Sequence, residues 1–334
     1  MDFRDQFFAF ARTAGPQCRL RYAPTPSGYL HIGNALNFTL NWLVARLNGG
    51  TILLRIDDLD ADRKRPEYIE DVFESLTWLG LDWDKGPACT PELRSGTLPE
   101  RSSGVQALDF EKNWSQHQRL PFYFKALEKL RETGHLFACQ KSRRDLAPFG
   151  GGYPPEFRDQ NLHLDDPDVA WRMATPTDSV LPDFIVRRRD GIPAYQIASV
   201  VDDLHFGITH AVRGADLESS TLVQTYLAQC LGQEDFLKIK FLHHPLLTDA
   251  TGEKLSKSVG ATSLRAMRQD RVGPEEVFRQ VAEMLGIVNY DAWNKTATLP
   301  SVCLLNACQK IVPYLTGSPS SSQAVSPPSR ITTS

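Results

Sequence analysis

The rhythm of apolar and polar positions changes several times along the chain. Residues 19–23 (RLRYA) alternate at strand period, PTPSG breaks the pattern, and HIGNALNFTLNWLVARLNG then carries apolar residues at helical spacing. The predicted order is strand, loop, helix. TILLRIDD is a short apolar run ending in charge, and EYIEDVFESLTWLGL places Tyr68, Val72, Leu76 and Leu79 on one helical face. Further along, PFYFKALEKLRETGHLFAC predicts a helix closed by Gly134. DFIVRRRDG and ITHAVRG read as strands on either side of a helical AYQIASVVDDL, and STLVQTYLAQCLG reads as an amphipathic helix. Strands that alternate with helices in this way predict an α/β fold on a parallel sheet.

Other stretches lack such periodicity. Residues 85–116 are rich in Gly, Pro, Ser and Thr and read as an inserted surface loop, and FGGGYPPEF is irregular. After the loop TDATGEKLSKSVG, two or three helices are expected to run to about Trp293. The Ser/Pro-rich end, 301–334, is expected to be mostly disordered. No internal repeats are evident.

Composition narrows the class. With 334 residues, 41% of them hydrophobic, the chain can bury a full core. A net charge of -3 gives no global basic field, so any contact with nucleic acid must come from local patches. Cys18, Cys89, Cys139, Cys230, Cys303 and Cys308 are scattered without a CxxC pair, which argues against a disulfide scaffold and for a reducing compartment. The first residues, MDFRDQFFAFARTAG, lack the long apolar core and cleavage site of a secretory signal. No run approaches the ~18–20 apolar residues of a membrane span. The expectation is a soluble, cytoplasmic protein without a membrane partner.

Two segments carry candidate phosphate chemistry. Pro24 to Asn34 (PTPSGYLHIGN) lies where a strand hands over to a helix, a junction that offers free backbone N–H groups and the positive end of a helix dipole to an anion. Gly28 and Gly33 would let backbone and adenine approach closely, and His31 could donate to a triphosphate oxygen. Far downstream, TDATGEKLSKS presents Lys254, Ser256 and Lys257 on a loop, where lysines can neutralise charge on departing pyrophosphate. Taken singly, the first segment is also explained by a Pro/Gly turn before a capped helix, and the second by solvated surface charge. Their occurrence together, in this order on an α/β pattern, favours the nucleotide reading.

HIGN (His31 to Asn34) and KLSKS (Lys254 to Ser258) resemble the two signatures of the class I aminoacyl-tRNA synthetases. Within that class, RYAPTPSGYLHIG, RIDDLDADR, AYQIASVVDDLHFGITHAVRGADL and HPLLTDATGEKLSKS resemble the glutamyl-tRNA synthetase branch, most of all the glutamyl-Q tRNA(Asp) synthetase family. The resemblance spans roughly residues 19–260. It implies a Rossmann-type catalytic domain over 19–260, with helices on both faces of the sheet. The remaining plan is an N-terminal extension (1–18), an insertion (85–116), a small inserted acceptor-binding subdomain (120–182) and a short C-terminal helical region (261–300). The stretch after KLSKS is too short for the large helical anticodon-binding part of full glutamyl-tRNA synthetases, and the glutamyl-Q enzymes are similarly truncated.

By motif, the resemblance places Arg21, Ala23 and Thr25 in the amino-acid pocket, Asp57 at the substrate ammonium, and Tyr195 and Arg213 among the later substrate contacts. A buried arginine can pair bidentately with a glutamate side-chain carboxylate and so tell it from glutamine. Arg213 is the first choice for that task and Arg21 the second; the competing reading makes both strand-end arginines in surface ion pairs.

The chain also departs from the family's pattern. Asp57 stands where the glutamate-using branch generally has Glu and the glutaminyl branch has Asp, so amino-acid choice is less constrained than reaction class. The family's zinc ligands align with Cys139, Lys141, Tyr153 and Phe157, of which Lys and Phe cannot be ligands, and no zinc is expected. The insertion around 86–113 has no counterpart in the pattern.

The implied reaction is attack of L-glutamate's carboxylate on the α-phosphate of ATP with Mg2+, then transfer of the glutamyl group to queuosine in tRNA(Asp) by a monomer. His31, Lys254 and Lys257 would be catalytic, acting by positioning and charge. Arg143 and Arg144 are candidate RNA phosphate contacts, or plain solvated charge. Alternatives are a truncated glutamyl- or glutaminyl-type enzyme with another acceptor, and a non-catalytic RNA-binding relative.

Overall fold

The computed structural model describes residues 1–87, 108–150, 153–246, 263–287 and 300–315. The described residues form strands β1 (Arg19–Tyr22), β2 (Thr51–Leu54), β3 (Leu136–Cys139), β4 (Ala170–Met173), β5 (Phe184–Arg187), β6 (His210–Gly214) and β7 (Lys240–His244). β1 pairs with β2, and β6 with β7, both in parallel. Thr209 stitches the pairs together: its N–H donates to Arg19 O at 3.0 Å and its carbonyl accepts from Lys240 N at 3.0 Å. The parallel sheet is therefore two short ladders side by side, in the spatial order β2, β1, β6, β7. β3, β4 and β5 form a separate antiparallel sheet, the core of the small inserted unit.

Strand alternation sorts side chains to two layers of helices. Leu20, Tyr22, Ile52 and Leu54 face one layer, with helices Phe3–Thr13, Ile32–Asn48, Pro66–Leu79, Glu275–Met284 and Pro300–Leu315. Leu53 faces the other, with helices Leu120–Glu132, Tyr195–His205 and Glu218–Cys230. Helix Ile32–Asn48 is buried nearly all round from Ala35 to Ala45, as a central helix must be. Its one strongly polar buried residue, Asn41, is matched to β6: the amide donates to Val212 O at 3.0 Å, and Oδ1 accepts from Val212 N at 3.0 Å. Gly49 ends the helix at φ 67°, and Gly50 lies so close to Cys18 that a Cβ there would collide with its sulfur.

The N-terminal extension, for which the sequence pattern predicts no element, contains a helix whose Phe7 and Phe8 are buried in the main core. Two segments differ from expectation. The far end of the expected surface loop 85–116 is interior: Phe110, Ser115 and Gln116 are buried, drawn in by the Asp58 carboxylate, which takes the Ser115 hydroxyl at 2.6 Å and the Gln116 N–H at 2.7 Å. Residues 88–107 lie outside the described residues. The end of the chain, expected to be mostly disordered from 301, begins with helix Pro300–Leu315, because Cys303, Leu304, Ala307 and Cys308 fall on one face at helical spacing and bury against the core. Residues 316–334 lie outside the described residues.

Leu304 is fully buried. Leu304→Ala is expected to cost about 2–4 kcal/mol in denaturant unfolding, as for other deeply buried leucines. A loss below roughly 0.5 kcal/mol, the range of exposed substitutions, would show that this helix does not belong to the core.

Candidate active site

The face of the sheet opposite Leu20 and Tyr22 carries three arginines beside the apolar Leu53. Arg21 in β1 lies opposite Leu53 in β2, and Arg213 in β6 points away from Val212. Arg55 shares the phase of Leu53 two residues beyond it, where its N–H donates to Tyr22 O at 2.9 Å and prolongs the ladder. All three are 3% exposed. Buried guanidinium needs carboxylate, and helix Tyr195–His205 brings it. Asp203 Oδ1 accepts from Arg21 Nε at 3.2 Å and from an Arg55 terminal nitrogen at 2.7 Å. Arg55 also grips Asp57 with two bonds, of 2.7 and 3.1 Å. The charges alternate along one line: Arg21, Asp203, Arg55, Asp57.

Asp202, beside Asp203, collects Arg119 at 2.7 and 3.0 Å, the Tyr123 hydroxyl at 2.7 Å and the Gln116 amide at 3.0 Å. Burial pushes Asp202 and Asp203 up, but the surrounding arginines outweigh it and hold both carboxyls below the ordinary carboxylate range. At Asp57 burial prevails over Arg55, and the carboxyl is raised. Arg213 differs from the other two arginines. Its partners among the described residues are neutral: Thr221 Oγ1 and Gln224 Oε1, each at 2.8 Å, and the Tyr195 hydroxyl at 3.2 Å. Burial, with Arg21 and Arg55 nearby, lowers its pKa, against the opposing pull of Tyr195 and Asp203.

The other end of the site is the junction between β1 and helix Ile32–Asn48. His31 is the N-cap: Nδ1 accepts from Gly33 N at 3.1 Å, and Asn34 Oδ1 accepts from His31 N at 3.0 Å, a reciprocal capping box. Because Nδ1 accepts, the neutral ring carries its proton on Nε2. A Cβ at position 33 would sit 3.0 Å from the His31 ring, so glycine there leaves the imidazole its place. A Cβ at Gly28 would meet nothing within 4 Å.

These parts line one cavity of about 500 Å³. Arg21, Ala23, Thr25, Gly28, His31, Gly33, Asn34, Asp57, Tyr195 and Arg213 are all on its wall. Arg55 lines it too, and sequence reasoning passed it over although it stands in the same RIDD string as Asp57. Asp202 and Asp203 were missed likewise; the available signal was a pair of adjacent acids at the end of a largely apolar run in a helix. Lys254, Ser256 and Lys257 lie outside the described residues. Arg144 is exposed.

Comparison with known proteins places this geometry. Residues 17–148 and 158–291 match the family described as tRNA synthetases class I (E and Q), catalytic domain. The chain belongs to this family. It is thus a ligase of the aminoacyl-tRNA synthetase type. It is 35% identical over 306 residues to a glutamyl-Q tRNA(Asp) synthetase of Nitratidesulfovibrio vulgaris, covering 81% of this chain and 87% of that one. A protein of the same name from Parasynechococcus marenigrum is 38% identical over 278 residues, covering 80% and 83%. A glutamate tRNA ligase structure from Elizabethkingia meningosepticum superposes with a TM-score of 0.55 at 22% identity, over 76% of this chain and 53% of that one, and shares the fold. No helix among the described residues is long and apolar enough to cross a membrane.

Within this class I domain, the four positions aligned with zinc ligands do converge in the small unit, with other chemistry. The Tyr153 hydroxyl donates to Cys139 Sγ at 3.2 Å, and Lys141 N–H donates to the same sulfur at 3.3 Å. Lys141 Nζ sits 4.6 Å from the centre of the Phe157 ring, and the Arg172 guanidinium 4.2 Å from that of Tyr153. One thiol and one phenol do not make a closed tetrahedral site, so the donor set does not fit zinc. The contacts present are a hydrogen-bonded thiol and two cation–π pairs, each pair worth about 0.5–2 kcal/mol. Prolonged dialysis against EDTA is therefore expected to leave the melting temperature within about 1 °C; a fall of roughly 5 °C or more would mean that a bound metal contributes to folding.

Proposed function

We propose that the chain activates L-glutamate with ATP as glutamyl-adenylate and then transfers the glutamyl group to the queuosine base of tRNA(Asp). The observation that carries the choice of amino acid is Arg213, a guanidinium buried on the cavity wall whose partners among the described residues are all neutral. At this end of the cavity Arg21 and Arg55 are paired with carboxylates (Asp203 and Asp57, with Asp202 3.8 Å from Arg55), whereas Arg213 has no carboxylate within salt-bridge distance among the described residues. A glutamate side chain supplies one; a neutral glutamine amide does not.

In this reading the γ-carboxylate rests on Arg213 and Arg21, and the ammonium on Asp57. One oxygen of the α-carboxylate attacks the α-phosphorus of ATP, forming the acyl–phosphate bond as the bond to pyrophosphate breaks. His31 Nε2–H and the positive end of its helix dipole stabilise charge on the phosphates, with Lys254 and Lys257 assigned to the pyrophosphate. Magnesium on the ATP oxygens adds charge neutralisation. A nucleophile of the queuosine base then attacks the acyl carbon and AMP leaves. The queuosine acceptor rests on the names of the relatives, which align over more than four fifths of their own length.

Asp57 supports a second reading, in which glutamine is the substrate, since its side chain is one methylene shorter than the Glu of the glutamate branch and is already held by Arg55. Amino-acid-dependent ATP–pyrophosphate exchange separates the two. Exchange with glutamate and not with glutamine or aspartate is expected, and Arg213→Met should lower glutamate-dependent exchange by about 100-fold or more. Preference for glutamine, or an Arg213→Met enzyme within a few-fold of wild type, would overturn the assignment.

A further inference from the structure

The segment that presents His31 does not hold itself in place. Between β1 and helix Ile32–Asn48, the hydrogen bond described within the loop is the one from Ser27 N to Thr25 O, at 2.9 Å. Leu30, the residue before His31, is instead gripped from outside on both backbone groups. Its N–H donates to Asp71 Oδ2 at 3.1 Å, and its carbonyl accepts from Leu264 N at 2.7 Å. His31 and Ser263 also form an antiparallel bridge.

These two outside grips are tied to each other. Asp71, on helix Pro66–Leu79, is 2% exposed, and its second oxygen accepts from Arg268 at 2.7 Å. Arg268 stands on helix Leu264–Gln269, whose first residue holds the Leu30 carbonyl, and it also donates to Ser75 Oγ at 2.6 Å and to Glu74 at 3.0 Å. A buried carboxylate thus spends one oxygen on the loop backbone and the other on an arginine of the element that closes the far side of the loop. Arg265, from the same short helix, donates to the hydroxyl of Tyr29, a residue of the cavity wall, at 2.6 Å and lies 4.6 Å from its ring centre.

We infer that Asp71 and Arg268 are positioning residues for the ATP end of the site: together they clamp the Leu30 peptide and so set where His31 and the N-terminus of its helix meet the phosphates. Neither side chain touches the substrate. The inference rests on the ATP-binding reading of this cavity. It adds that nucleotide affinity depends on an ion pair outside the cavity wall, while the Arg21, Asp203, Arg55 and Asp57 line that faces the amino acid shares no residue with the clamp.

The test compares wild type with Asp71→Asn, Arg268→Met and Arg268→Lys, reading ATP affinity by calorimetry and then the KM for ATP and for glutamate in pyrophosphate exchange. Arg268→Met and Asp71→Asn should weaken ATP binding by about 5–20-fold and raise the KM for ATP in step, with the KM for glutamate within about two-fold, since a small displacement of phosphate donors is costly. Arg268→Lys keeps a cation for Asp71 and should recover part of the loss. Should Asp71→Asn fail to fold, the partly exposed Arg268 variants still carry the test. ATP affinity unchanged in both Arg268 variants, or equal changes in both KM values, would overturn the clamp and leave the reading of the site standing. A folded wild-type protein that binds no ATP would overturn both.

Discussion

Arg21 and Arg55 can lie under the sheet because one carboxylate, Asp203, meets them both. Withdrawing a guanidinium from water costs several kcal/mol, and an ion pair offsets that cost only with good geometry and with its remaining donors satisfied. Asp203 is itself fully buried, and its Oδ2 has no donor among the described residues, so its interaction is directed through Oδ1 to the two arginines. The contact fixes how helix Tyr195–His205 lies across β1 and the end of β2. Once that helix is set, Asp202 gathers Arg119, Tyr123 and Gln116, and the returning end of the 85–116 segment has its anchor. Removing Asp203 would leave buried Arg21 without its carboxylate while Arg55 keeps Asp57, a larger loss than that of one hydrogen bond.

The same constraint shapes the chemistry. A sheet face that carries arginines cannot be an ordinary apolar interface, and the balance of its charges decides what else enters. Arg55 divides its donors between Asp203 and Asp57, so the carboxylate assigned to the substrate ammonium is aligned before any ligand arrives. Arg213 is left with hydroxyls and an amide oxygen. At the opposite end of the cavity the helix that starts at His31 offers the positive end of its dipole and carries no acid in its first turn. In the proposed reading one end takes an amino acid with an extra negative charge and the other phosphate, and the capping box of His31 and Asn34 orients the imidazole at the phosphate end.

Much of this was legible in the sequence where chemistry and spacing coincide. His31, Gly33 and Asn34 sit at a strand-to-helix handover that punctuation alone reveals, and Tyr195 and Arg213 stand in strings long enough to align. Arg55, Asp202 and Asp203 were not read out, because a charged residue beside an apolar strand looks the same whether it is solvated or buried; only the facing helix decides, and that is a tertiary fact. The helix Pro300–Leu315 was hidden by its Ser/Pro-rich sequel, though Cys303, Leu304, Ala307 and Cys308 do mark one helical face. At the positions aligned with zinc ligands the residue types were visible, but that Lys141 lies over the Phe157 ring was not, since sequence carries no distance between them.

The central claim is that Arg213, buried and hydrogen-bonded only to neutral groups among the described residues, selects a carboxylate side chain, and a crystal structure with glutamate bound tests it most directly. The account predicts the γ-carboxylate within hydrogen-bond reach of Arg213, the ammonium at Asp57 and the α-carboxylate turned toward His31. Glutamate bound with its side chain away from Arg213, or with the α-carboxylate on Arg213 in its place, would contradict it.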